Sequence, residues 1–178
     1  DQITALNEIA NPNLIEVGQV LLIPPPTFEQ AASGFKILPD SELVNSPSNA
    51  GFNIEEFVKK WDGYLAAYSE EVDGVPLRGF EVVERVALEY SVNPRLLLAL
   101  LEYQSGWVTE QAPDEAKLIY PLGYYDAWRE GLYKQLAWAS NLLNEGYYLW
   151  KINAISVWSL IDGDVLQVDP TINPGTAG

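Results

Sequence analysis

The sequence predicts a mainly α-helical protein with one small β-hairpin near its C-terminus. Three observations carry that prediction. Asn93 to Trp107 reads as a capped apolar helix with a polar, aromatic tip. Other segments repeat apolar residues at helical spacing, and Ala154 to Val168 alternates around an Asp162-Gly163 pair.

In the helix from Asn93, the asparagine is a suitable N-cap, and Pro94 fits the first helical position, where its missing N–H would have had no partner anyway. The unbroken apolar run from Leu96 to Leu101 leaves no wet face, so this is expected to be the central helix. Before it, Asn53 with Glu56 resembles a capping box and opens a helix carrying Ile54, Phe57, Val58, Trp61, Leu65 and Tyr68. An Asp73-Gly74 turn follows, then Phe80, Val83, Val86, Ala87 and Tyr90 mark a second amphipathic helix. Residues 110–121 read as loop. A long helix is predicted from about Tyr125 to Asn144, with Trp128, Leu132, Gln135, Leu136 and Ala139 on one side, closing at Gly146. The hairpin is expected at about 154–169, and the tail beyond it reads as turns.

At the other end, Ala5 to Asn7 reads as a helix end, Asn11-Pro12-Asn13 as a turn, and Val17 to Ile23 as a terminal strand stopped by Pro24. Residues 25–51, rich in Pro, Ser, Asn and Gly, read as a linker.

Composition removes several chemistries. The chain has 178 residues, a net charge of -15, no Cys and no His. Disulfides, thiolate and imidazole catalysis and most zinc or haem sites are excluded; oxygen ligands could still hold a cation, but the chain has no D-x-D-x-D-G loop, so no metal and no cofactor is expected. Nucleic acid binding needs a basic surface, which this acidic chain lacks. No apolar run approaches the roughly 20 residues needed to span a bilayer, so no membrane insertion is expected. The chain begins at Asp1 without a Met, which reads as a fragment or a mature form.

Two resemblances add to this reading. The segment L-N…N-P-N-L-I-E-V-G-Q-V-L-L-I-P at residues 6–24 resembles the C-terminal half of a LysM module. LysM modules bind glycans containing N-acetylglucosamine between two loops; only the second would be present here, with Asn11, Asn13 and Gly18 in it. The V-N-P-R-L-L-L-A-L-L-E-Y-Q-S-G-W segment resembles the catalytic helix of the lysozyme-like lytic transglycosylases. That resemblance implies a lysozyme-like α domain over residues 52–178, preceded by a partial LysM module at 1–24 and the linker at 25–51.

The same resemblance puts Gln104 where the family carries its acid Glu, before Ser105 and Gly106. An amide can hydrogen-bond a sugar but cannot donate a proton as a carboxylic acid does. Glu102 is the alternative acid, yet two residues along a helix point about 200° apart, so it would serve a different cleft. The aromatic residues crowding the C-terminal half suit sugar stacking, and Tyr103, Trp107 and Tyr124 are expected to line the cleft with Gln104 and Ser105. The predicted function is non-catalytic binding of peptidoglycan or a related N-acetylated glycan, in an extracellular or cell-envelope setting. The alternatives are an active glycan-cleaving enzyme using Glu102 or a loop carboxylate, and a structural protein of an extracellular assembly.

Overall fold

The computed structural model describes residues 2–7, 9, 11, 18–22 and 36–178, in two units, Asp1–Gly34 and Phe35–Gly178. In the first unit, helix α1 (Gln2–Leu6) forms as expected from the sequence, but residues 18–22 of the expected strand do not adopt strand pairing. A strand needs a neighbouring backbone, and for one residue the Asn7 side chain takes that part. Its Nδ2 donates to the Leu22 carbonyl at 2.7 Å, and its Oδ1 accepts the Leu22 N–H at 2.6 Å.

The second unit is mainly helical. In chain order it holds α2 (Asp40–Leu43), α3 (Ile54–Trp61), α4 (Tyr64–Ala67), β1 (Ser69–Val72), β2 (Val75–Arg78), α5 (Gly79–Glu89) and α6 (Pro94–Ser105). Then come α7 (Glu115–Ile119), α8 (Leu132–Lys151), β3 (Val157–Ser159), β4 (Val165–Gln167) and α9 (Pro174–Ala177). Residues 36–51, read as linker from their composition, carry α2 and a 3₁₀ turn. Leu43 is wholly buried, and Val44 bridges Val92.

Local chemistry explains the helix ends. Asn53 accepts the Glu56 N–H at 3.0 Å, and Asn93 accepts the Arg95 N–H at 2.9 Å. Gly106, at φ 69°, takes the left-handed conformation that ends α6, with its N–H on the Glu102 carbonyl. Helix α6 is not buried all round. Pro94, Leu97, Leu98, Leu101 and Ser105 face the core, while Ala99 is exposed and Leu96 and Leu100 are half-buried. The apolar run therefore supplies one core face and the walls of two surface depressions.

The main core joins α6 to Val82, Val83 and Val86 of α5 and to Leu132 and Leu136 of α8. Two further differences from the sequence reading have local causes. The Asp73-Gly74 turn closes a full hairpin, β1 against β2, with Val72 opposite Val75. The long helix starts at Leu132, not Tyr125, because Gly131 at φ 92° breaks the chain direction before it.

That helix also passes straight through Gly146. A Cβ there would stand 2.6 Å from the Gly178 carbonyl oxygen, so the glycine permits close approach of the chain's last residue rather than stopping the helix. The C-terminal hairpin forms around Asp162 and Gly163, with Trp158 opposite Leu166. A second small core of Trp150, Val168 and Ala177, with Ile155, Trp158 and Ile172 against it, ties the hairpin and tail to α8.

The tail closes the unit. Asp40 Oδ1 accepts the Asn173 Nδ2 at 2.7 Å and the Gly175 N–H at 2.8 Å, while Thr176 Oγ accepts the Ile37 and Leu38 N–H groups at 3.1 Å each.

Candidate functional site

Helix α6 delivers its polar tip to two sides. Gln104 is exposed and helps line a groove of about 210 Å³ with Leu100, Leu122, Trp138, Leu142 and Leu143. Gly123 faces the amide: a Cβ there would lie 3.9 Å from Gln104 Oε1. No carboxylate is among the residues lining this groove. Tyr124 stacks on Trp138 with ring centroids 4.2 Å apart and planes 17° off parallel, which extends an aromatic wall outward from the groove.

The wall is held by a buried amide. Gln135 is wholly buried on α8 and uses its side chain four times. Its Oε1 accepts the Leu122 N–H at 3.2 Å and the Tyr124 N–H at 3.3 Å, and its Nε2 donates to the Tyr124 and Arg129 carbonyls at 2.8 Å each. An amide satisfied at both ends fixes the 122–129 loop to the helix. On that loop Tyr125 and Trp128 stand 71% and 86% exposed, so the molecule spends two large apolar rings on solvent at a rigidly mounted place. The sequence showed these aromatics, but not which were exposed or that Gln135 anchors them.

The other residues expected at the tip are distributed differently. Tyr103 is 85% exposed. Ser105 is buried, its hydroxyl donating to the Leu101 carbonyl one turn back at 2.8 Å, so it faces the core and not the groove. Trp107, expected in the cleft, is wholly buried. Its indole N–H donates to the Lys117 carbonyl at 3.1 Å, and its ring lies 4.8 Å from both Tyr64 and Tyr68. The left-handed turn at Gly106 sends the chain back into the core, and the aromatic after it follows.

Glu102 lies on the opposite side of α6, lining a separate apolar cleft with Ala99 and Val108. Its carboxylate accepts the Val108 and Thr109 N–H groups, each at 3.1 Å, and the Thr109 hydroxyl at 2.6 Å. It clasps the turn that follows the helix.

One carboxylate is held above its ordinary value. Glu70, half-buried on β1, is pushed up mainly by burial, against the pull of the Tyr133 N–H it accepts at 2.6 Å and the Tyr68 hydroxyl at 3.2 Å. It caps the start of α8, where Gly131 leaves it room: a Cβ on that residue would stand 2.6 Å from Glu70 Oε2. Burial likewise raises the Tyr68 hydroxyl. Glu70 does not line the Gln104 groove. Among the described residues no group of acidic side chains could hold a metal ion, and no helix is long and apolar enough to cross a membrane.

In the first unit, Asn11 and Gly18 are exposed, Gly18 at φ 89°, and Asn13 lies outside the described residues. Residues 1–24 match the family model of the LysM domain, which implies binding of peptidoglycan or chitin-type glycans. Residues 36–178 match the model described as LasA, N-terminal domain. Both kinds of domain occur in secreted or cell-envelope proteins. No curated protein and no solved structure matches the chain. With 143 of its 178 residues inside one family model, the chain belongs to the LasA N-terminal domain family.

Proposed function

We propose that this chain binds peptidoglycan-type glycan without cleaving it, the helical unit adding its own sugar contacts to those of the LysM segment. The observation that carries this reading is the pairing of the Gln104 amide with the Tyr124–Trp138 stack around a groove whose lining includes no acid. An amide offers a sugar both a donor and an acceptor, and an exposed ring offers the apolar face of the pyranose a flat partner. Tyr125 and Trp128 stand exposed on the same loop as Tyr124, whose conformation is already fixed, so little ordering entropy is lost when a glycan settles on its rings.

The lysozyme-like ancestry remains a proposal resting on the Val92–Trp107 pattern, with Gln104 in the place of the acid. Glycoside cleavage of that type needs a carboxylic acid at the glycosidic oxygen. Glu102 serves the turn after α6, and Glu70 serves the start of α8; both therefore fit structural work better than proton donation.

The test is co-sedimentation with purified, insoluble peptidoglycan, with muropeptide release measured on the same samples. Binding without release is the expected result, and Trp128→Ala and Tyr124→Ala should each weaken binding several-fold. Release by the unaltered protein would overturn the non-catalytic reading. Unchanged binding in both aromatic variants would overturn the placement of the site. Release gained only in Gln104→Glu would support the ancestry.

A further inference from the structure

The cleft on the Glu102 side of α6 has no part in the proposed glycan site. It encloses about 380 Å³ between Phe52, Phe57, Trp61, Leu98, Ala99 and Val108, with Arg95, Glu102 and Thr109 also lining it. Phe52, Phe57 and Trp61 form a row with centroids 5.4 and 6.3 Å apart. Trp61 is half exposed, and Lys60 lies over its ring at 5.9 Å. Lys60 makes no ion pair among the described residues. Hydrocarbon and ring walls with so few polar groups suit an aliphatic side chain far better than a sugar.

The same chain carries a projection of that chemistry. The tip of the β3–β4 hairpin reads Leu160-Ile161-Asp162-Gly163-Asp164. Leu160 is 45% exposed and Ile161 fully so, with Val165 and Leu166 also exposed behind them. The tip is pre-shaped. The Leu160 N–H bonds to the Asp164 carbonyl at 2.8 Å, the Gly163 N–H to the Leu160 carbonyl at 3.0 Å, and the Asp164 N–H to Asp162 Oδ1 at 3.1 Å. An isoleucine held in water on an ordered turn costs hydration free energy and gains nothing inside its own unit. The two flanking aspartates match Lys60 at the rim of the cleft, a cation with no ion pair among the described residues, on a surface that is otherwise strongly acidic; Arg95 is already held by Glu42 at 2.9 Å.

We propose that the hairpin tip of one copy of this chain docks in the Phe52–Phe57–Trp61 cleft of a second copy, with Ile161 as the anchor. Knob and cleft are different patches, so the contact is head-to-tail and leaves one of each free on every pair. A tip of this size belongs among the small, transient interfaces, so association is concentration-dependent and becomes appreciable at high protein concentration.

The test is sedimentation equilibrium of the full chain, from micromolar to about millimolar, at roughly 0.15 M salt, where the net charge is screened within about 8 Å. The unaltered protein should exceed the 19.8 kDa monomer mass and pass the dimer as concentration rises. Ile161→Asp removes the knob. Ala99→Gln fills the cleft from an exposed helical position that accepts a longer side chain. Each should weaken association at least tenfold while leaving the far-UV spectrum unchanged. An equal mixture of the two variants retains one intact knob and one intact cleft, and should form dimers that grow no further. A protein that stays monomeric throughout, single variants that associate like the parent, or a mixture that fails to dimerise would each overturn the proposal.

Discussion

Gln135 holds Tyr124 from both ends of its peptide: the side-chain oxygen accepts the tyrosine N–H, and the side-chain nitrogen donates to the tyrosine carbonyl. A single buried amide on α8 thus sets the orientation of the whole aromatic loop. Gln135→Leu keeps the apolar bulk and strands the backbone groups. Each buried group left without a partner costs roughly 1–3 kcal/mol, so denaturant unfolding should show a loss of at least about 2 kcal/mol. Peptidoglycan binding should fall with it even at temperatures where the variant is fully folded.

Glu102 makes the opposite prediction for function. Glu102→Ala removes three hydrogen bonds to Val108 and Thr109, one acceptor serving two backbone donors. Stability should drop by about 1–3 kcal/mol, while co-sedimentation with peptidoglycan at a temperature well below the melting transition stays at the parent level. Loss of glycan binding from a folded Glu102→Ala protein would place the site on the wrong side of α6.

Two carboxylates give pH effects of opposite sign. Burial raises Glu70 above its ordinary value of 4.5, so the folded protein binds this proton more readily than the unfolded chain does. Its contribution to stability is fully present below 4.5 and is lost as pH rises through the raised value. Arg78 lowers Glu81 to about 2, so its contribution is present above 4.5 and is lost as pH falls toward 2. In thermal melts across pH 2–7, at intervals of about half a unit, Glu81→Gln should lessen the acid-side decline. Glu70→Gln should remove a loss of stability on the rising side.

Gly146 reverses a common expectation. Alanine in the middle of a helix is ordinarily favoured over glycine by roughly 0.5–1 kcal/mol. Here the added methyl would meet the Gly178 backbone at 2.6–3.0 Å, and backbone cannot step aside cheaply. Gly146→Ala should therefore lower the melting temperature and speed proteolysis after Val168, whereas a stabilised variant would show that the tail is not seated on α8.

The sequence exposes features whose cause is local. The Asn93 cap and Pro94 place the start of α6, and Asp162-Gly163 places the C-terminal hairpin. Features set by distant contacts are hidden. Glu70 and Glu71 in β1 and Pro76 in β2 mask the first hairpin, whose turn alone was readable. Gly146 reads as a helix stop because the residue that needs its open space lies 32 positions later. The candidate site divides in the same way. Exposure of Gln104 follows from its place on the helix, but Trp107 and Trp128 look alike as letters, and only tertiary packing buries one and exposes the other.

The seam between Leu38–Asp40 and Asn173–Thr176 has a mechanical consequence. Tension applied across residues 36–178 would load that seam together with the seat of Gly178 on Gly146 of α8, before it reached the bundle around α5 and α6. Pulling along the two ends should detach α9 and the hairpin behind it at low force, while the bundle around α5 and α6 stays folded. The unit thus meets load at a polar seam of side-chain hydrogen bonds and not in the apolar core behind the Gln104 groove.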